Sequence, residues 1–387
     1  MKQVFICISD FRQGGIPRCL QTLLMHITRD KYKIDLLCLS KEGPYNGEMP
    51  NCTVLKNDYI INQLMVHSKK ISKKNFLQYL PAIFLKILRF VILKFLGKDL
   101  LILRLKFVAN KLNKYDCAIA YAEGYPALIV ESIKSSNKLL WIHNDYAFEG
   151  ARGGTQITNF ACFNKICCVS QATQRSFIDL YPQYKDKTIT IHNLTNTTYI
   201  INKAKEKISD KRFDTSKFTI ISIGRICAQK RFYAIPQIAQ DLKKQNIPFK
   251  WYILGGGQKE EVKLVYENIK RFHVTDEVLL LGEQDNPYKY LKHSDIFVLT
   301  SLYESYPTVI NEARVLNIPI VSVNIEPIFE MLQADEATIV PFDEIAKAIA
   351  NLYYDSHLFD DFKNISYRNH NTEILHNFYK IIDSIDD

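Results

Sequence analysis

Short apolar runs recur along the chain, separated by stretches with helical periodicity. QVFICIS, IDLLCLS, CAIAYA, LLWIHN, KICCVS and TITIHN form a first series. FTIISIG, FKWYILGGG, VLLLG, DIFVLTS, PIVSV and ATIVPF form a second. Within each run the apolar positions are consecutive rather than alternating, which predicts strands covered on both faces, as in parallel sheets with crossover helices. Between the series lies TNTTYIINKAKEKISDKRFDTSKF, residues 195–218, polar, charged and poor in strand pattern, which reads as an interdomain connection. The expected architecture is therefore α/β, with two doubly wound Rossmann-like domains over residues 1–200 and 201–367. A C-terminal helix over 368–387 is expected to pack back on the first. Ligands of such sheets bind outside the carboxyl ends of the strands, so the residues that end each run are the candidates for function.

Composition supports this reading. A chain of 387 residues, 47% of them apolar, suffices for two globular cores. The opening MKQVFICISD reads as a strand and not as a secretion signal. Nine cysteines, none in Cys-x-x-Cys spacing, point to buried free thiols rather than zinc or disulfides, and to a cytoplasmic location.

The net charge of +9 is concentrated. Met65–Tyr115 holds twelve Lys/Arg against one acid, Asp99, a balance of +11 that calls for an anionic partner. In residues 76–107, Phe84, Leu88, Val91, Ile92 and Phe95 follow helical spacing, while Lys86, Lys94 and Lys98 fall elsewhere. Three cations and Pro81 argue against a membrane span. An interfacial helix on an anionic membrane surface, through residues 69–114, is the favoured expectation, which makes the protein peripheral on the inner face of the membrane. An ordinary core helix with a basic rim is the alternative. No nucleic-acid recognition motif accompanies the charge, and no nucleic acid is expected as partner.

Five strand ends carry candidate chemistry. After the first strand, Gly14 and Gly15 precede a helix containing Arg18; they allow close backbone approach by an anion, or simply make a turn. WIHNDY places His143, Asn144 and Asp145 at a strand end, as hydrogen-bonding groups or as a helix cap beside a packed histidine. SIGRICAQKRF offers Arg225 and Lys230, a possible diphosphate clamp or a solvated pair. ILGGGQ offers Gly255, Gly256 and Gly257 for a nucleotide lying against backbone, or for a turn. TSLYESYPTVINEA puts Glu304 in a loop and Glu312 on the helix that Pro307 begins and that Asn317 and Pro319 end.

Taken together, GRICAQKRF, ILGGGQ and the segment from LLLGEQDNPYKYLKHSD through SLYESYPTVINEARVLNIPIVSV resemble the nucleotide-sugar domain of family-four retaining glycosyltransferases of GT-B architecture, of the type that builds bacterial surface polysaccharides. The resemblance covers nearly all of the second domain and is weaker in the first. It implies two domains facing a cleft, with Arg225 and Lys230 on the donor diphosphate. It also implies Glu304 on the hydroxyls of the transferred sugar, Glu312 on the ribose, and the backbone of Ser305, Tyr306, Pro307 and Thr308 along sugar and phosphate. A carboxylate can accept hydroxyl hydrogen bonds at both oxygens, which suits it to a polyol. The chain departs from the family in having Gly14-Gly15-Ile16-Pro17 where Gly-Gly-x-Glu is usual, Ser305-Tyr306 for Gly-Phe, and Asn317 for Gly. Glu330 matches a further family glutamate.

The function expected is transfer of a sugar, with retention, from a nucleotide-sugar donor such as a UDP-sugar to a hydroxyl of a glycan or lipid-linked acceptor. No Asp-x-Asp occurs in the chain, so no metal and no cofactor is expected. Catalytic roles fall to Glu304, Arg225, Lys230 and His143. The rivals are a nucleotide-sugar epimerase or hydrolase, which needs an acid–base pair such as His143 with Asp145, and a binding subunit without activity.

Overall fold

The computed structural model describes residues 1–11, 14–40, 49–66, 76–149 and 157–384. The chain forms two compact units, Met1–Leu194 with His370–Asp387, and Thr195–Asn369. The first holds strands β1 (Lys2–Asp10), β2 (Tyr32–Ser40), β3 (Thr53–Val54), β4 (Tyr115–Ala120), β5 (Ser135–Ile142), β6 (Lys165–Cys168) and β7 (Thr188–Thr190). The second holds β8 (Phe218–Ile223), β9 (Phe249–Leu254), β10 (Val278–Gly282), β11 (Ile296–Leu299), β12 (Ile320–Val323) and β13 (Thr338–Val340). Among the described residues every pairing is parallel, as the unalternated runs predicted. Strand orders are β3-β2-β1-β4-β5-β6-β7 and β10-β9-β8-β11-β12-β13, both doubly wound. The order reverses between β1 and β4 in one sheet and between β8 and β11 in the other.

Neighbouring residues of the second sheet show why its strands are apolar throughout. Ile220, Trp251, Ile253, Val298 and Val321 enter the core on one face, and Ile221, Tyr252, Leu254, Phe297 and Ile320 the core on the other. The two-residue period is present, but both faces are covered, so the sequence shows no alternation.

The boundary between units differs from the expected one. It falls at Leu194/Thr195, six residues early, because helix Thr197–Ala204 inserts Ile200 and Ala204 into the second core. Part of the presumed connection is thus a structural element whose polar face hid its two anchors. The return crossing falls at Asn369/His370, and helix Asn371–Asp383 packs on the first unit. Phe378 lies against Trp141 with ring centroids 5.7 Å apart, and Tyr379 stacks on Tyr32 at 5.5 Å. Strand β3 was not anticipated; two exposed residues give no pattern to read.

Residues 69–75 of the basic segment lie outside the described residues. Helix Leu80–Leu96 is not an ordinary core helix, for Ala82 is its sole buried residue. Its solvent face also differs from the one expected: Leu88 and Ile92 are half-buried, whereas Ile87, Phe90 and Lys94 stand exposed with Phe84, Val91 and Phe95. Nor are its cations one set, since the Lys86 ammonium donates to Val66 O at 2.5 Å and Arg89 pairs with Asp99 at 2.6 Å. Among the described residues no helix is long and apolar enough to cross a membrane.

Candidate functional site

The loops that follow β8 and β11 begin at the switch point of the second sheet, where open α/β sheets bind ligands. They are tied together by backbone and side chain. Leu302 N donates to Gln229 O at 2.8 Å, Gln229 Nε2 to Tyr303 O at 3.0 Å, and Thr300 Oγ1 to Lys230 O at 2.8 Å. At their junction the Lys230 ammonium meets Glu304 Oε1 at 2.5 Å, and Ser301 Oγ donates to the same oxygen at 2.6 Å. The side chains of Lys230 and Glu304 are 16% and 8% exposed, so the pair is shielded but Lys230 keeps a route to solvent. Directly after Lys230, Arg231 adopts a left-handed backbone (φ 58°) and its guanidinium lies 3.4 Å from the Phe342 ring centroid. A non-glycine residue in that region costs of order 1 kcal/mol, offset here by the stacking contact.

The glycines after β9 serve close backbone packing. A Cβ on Gly255 would sit 1.8 Å from Gly224 O, and one on Gly257 2.2 Å from Ile226 O. Ile226 N donates to Gly256 O at 2.7 Å across this contact. The turn and the approach are therefore both real, and the neighbour approached is the β8 loop. Gly256 lies beside Glu283, whose Oε2 would be 3.3 Å from an added Cβ. Arg225 is exposed on the β8 loop; the structure does not draw it into the Lys230–Glu304 pair.

From Glu304 the chain runs through half-buried Ser305 and Tyr306 to buried Pro307, which caps helix Thr308–Val315. Thr308 opens the helix, Glu312 is buried on it, and Asn317, with φ 55°, follows its end. Glu312 Oε1 accepts from Tyr288 OH at 3.3 Å. Asn311 Nδ2 reaches Thr195 Oγ1 at 3.2 Å and Tyr306 OH at 3.5 Å. Burial pushes the Tyr306 hydroxyl up to about 12, which keeps it a neutral hydrogen-bonding group. Glu330 lies on helix Glu326–Met331.

In the first unit, His143 directly follows β5, its ring 4.9 Å from that of Tyr121. Its Nε2 is buried and has no hydrogen-bond partner, and burial pulls its pKa down to about 3. Asp145 instead accepts from Ala147 N at 2.9 Å, as a cap of helix Tyr146–Glu149. His143 and Asp145 do not form the acid–base pair that the rival hydrolase reading needs. Gly14 and Gly15 precede and open helix Gly15–His26, and a Cβ on either would meet nothing within 4 Å. Local packing does not require glycine at these two positions. Among the described residues no group of three or more His, Cys, Asp or Glu is placed to hold a metal ion.

Sequence reasoning missed Ser301, Thr300 and Tyr288. The first two were accessible in principle, as polar residues immediately past a buried strand at a switch point. Tyr288 had no such signal, since its partner is 24 residues away.

The chain is similar to known proteins in sequence and in fold. Residues 203–369, which lie within the second unit, match the family described as Glycosyl transferases group 1. An uncharacterized glycosyltransferase of Methanocaldococcus jannaschii is 29% identical over 211 residues, 51% of each protein; the chain thus spans about half the length of that relative. The Campylobacter jejuni N-acetylgalactosamine-N,N'-diacetylbacillosaminyl-diphospho-undecaprenol 4-alpha-N-acetylgalactosaminyltransferase is 24% identical, across 81% of this chain and 78% of its own. Among solved structures, Anabaena HepE in complex with UDP and glucose aligns with a TM-score of 0.73 at 16% identity, covering 99% of this chain and all of its own. The fold is GT-B: two parallel, Rossmann-like sheets.

Proposed function

We propose that the protein is a retaining, metal-independent glycosyltransferase that moves a sugar from a UDP-sugar to a hydroxyl of a glycan or lipid-linked acceptor in surface-polysaccharide assembly. The observation that carries the reading is the shielded Lys230–Glu304 pair at the β8/β11 switch point, held by loops hydrogen-bonded to each other. A lysine and a carboxylate so placed suit the two ends of one donor. The ammonium neutralises a diphosphate, and the carboxylate accepts hydroxyls of the sugar. Glu312 and Arg225 extend the same site, to the ribose and the phosphates. The UDP reading draws on HepE, solved with UDP and glucose; the acceptor reading draws on the Campylobacter enzyme, whose name carries diphospho-undecaprenol.

In this mechanism the acceptor oxygen attacks the anomeric carbon from the side the diphosphate leaves. The C–O bond to phosphate breaks through an oxocarbenium-like state, and the acceptor proton passes to a departing phosphate oxygen. Lys230 and Arg225 stabilise the charge that grows there, each such contact being worth about 3–4 kcal/mol of barrier. His143 is neutral at physiological pH and offers Nε2 as a hydrogen-bonding group rather than as an acid. That Asp145 caps a helix while His143 Nε2 has no hydrogen-bond partner weighs against the epimerase or hydrolase reading.

The test is a donor screen read as nucleotide release, with and without lipid-linked glycan acceptors, and then product analysis. Acceptor-dependent release with an α-configured product from an α-linked donor is the expected result. Release of free sugar alone, or no release with any nucleotide sugar while the protein still binds UDP, overturns it.

A further inference from the structure

The first unit carries an apolar surface that its own fold leaves uncovered. Along helix Leu80–Leu96, Phe84, Ile87, Phe90 and Phe95 are 65%, 58%, 65% and 73% exposed. Leu80 and Val91 on the same side are also exposed, so an apolar strip runs from Leu80 to Phe95, about 22 Å at 1.5 Å per residue, and Leu93 and Leu96 are exposed on the other sides of the helix. On the next helix, Leu100–Lys111, Leu103 and Phe107 are exposed as well. A monomeric soluble protein rarely leaves so much contiguous apolar area in water, and such patches mark interaction sites.

Charge identifies the partner. Lys94, Lys98, Lys106, Lys111 and Lys114 are all exposed on or beside the two helices. Two neighbouring acids are already paired, Asp99 with Arg89 at 2.6 Å and Asp58 with Arg104 at 2.7 Å, and Asp116, past the second helix, accepts from Gln3 N at 2.7 Å. The helix pair therefore presents aromatic and aliphatic side chains framed by unneutralised ammonium groups. A second copy of the chain would bring lysines against lysines, and lysine is depleted from protein interfaces. An anionic bilayer instead takes the apolar side chains into its acyl boundary and pairs its headgroups with the cations.

We infer that helices Leu80–Leu96 and Leu100–Lys111 form a docking surface for an anionic lipid bilayer, with the first helix lying in the plane of the interface. Phe84, Phe90 and Phe95 insert; Lys94, Lys98 and Lys106 bind headgroup phosphates. Docking through this surface is independent of the donor chemistry, so either can fail without the other.

The experiment is flotation of the full chain with phosphatidylcholine vesicles, with and without phosphatidylglycerol, at low and high salt. The protein floats with the anionic vesicles, and less so at high salt. Lys94→Gln/Lys98→Gln/Lys106→Gln lowers the partition coefficient about a hundredfold, from about fivefold per cation near the surface. Phe84→Ser/Phe90→Ser/Phe95→Ser abolishes flotation at either salt while thermal melting is unchanged, since these side chains are largely exposed. A Phe90→Trp variant shows a blue-shifted emission on anionic vesicles only. Absence of flotation, equal recovery with both vesicle types, or wild-type flotation of either triple variant overturns the inference. So does a dimer in light scattering that the phenylalanine variant dissociates, because a second copy then covers the face.

Discussion

Exchanging Lys230 and Glu304 singly and together tests both the energetics and the assignment of the site. Lys230→Met leaves a carboxylate that is 8% exposed with Ser301 as its hydrogen-bond donor. Removing one partner of a buried ion pair costs roughly 3–5 kcal/mol, and the partial exposure of Lys230 places this case at about 3. Glu304→Gln is cheaper, about 1–2 kcal/mol, because the ammonium can turn to water and the amide still accepts from Ser301. The double variant should cost less than the sum, with a coupling of at least about 1 kcal/mol. In a domain of this size about 3 kcal/mol lowers the melting temperature by roughly 6–12 °C, well within reach of calorimetric scanning. Nucleotide binding gives the second axis. The donor phosphates compete with Glu304 for Lys230, so Glu304→Gln should hold or strengthen UDP binding while sugar transfer is lost, and Lys230→Met should weaken UDP more than tenfold. Additive stabilities within about 0.5 kcal/mol would refute the coupling. Titration calorimetry with UDP affinity unchanged in Lys230→Met would refute the donor role.

Three further outcomes are expected. The His143 pKa is pulled down from about 6.5 in the unfolded chain, so the folded state loses stability as pH falls from about 6.5 toward 3; His143→Gln should remove about 1–2 kcal/mol of the loss between pH 7 and pH 5, and parallel urea-unfolding curves for both proteins would refute this. Transfer should survive excess EDTA, because basic side chains take the place of a cation; arrest by chelation and rescue by magnesium or manganese would show the opposite. Gly255→Ala should cost about 3 kcal/mol or more, given a Cβ 1.8 Å from Gly224 O, whereas Gly14→Ala should melt as the wild type does and reveal any ligand contact only through KM.

The strand ends were legible because parallel strands covered on both faces leave unbroken apolar runs, and the polar residues just past each run are then conspicuous. Glu304 and Lys230 stood out for that reason, whereas Glu312, on the helix that follows, was marked by the family resemblance. The pairing of Lys230 with Glu304 was not legible, since 74 residues separate them and only the β8/β11 adjacency brings them together. Helix Thr197–Ala204 was hidden by its polar face, and β3 by its length. The uncovered face of Leu80–Leu96 was misdrawn because its sequence is apolar nearly all round, so periodicity alone could not say which side the fold would cover.

The helix Asn371–Asp383 makes the first unit discontinuous, and this bears on how the chain acquires its structure during synthesis. The second unit is contiguous and can complete its core once Asn369 has left the ribosome. The first cannot, although its sheet is made earlier: Asn137 Nδ2 donates to Ile381 O at 2.8 Å, and the Tyr32 hydroxyl donates to Asp383 Oδ2 at 2.9 Å. Until those residues emerge, Trp141 lacks Phe378 and Tyr32 lacks Tyr379. The nascent first unit therefore waits with part of its core open while the unit made after it closes, and a chain ended at Asn369 would be left permanently in that state.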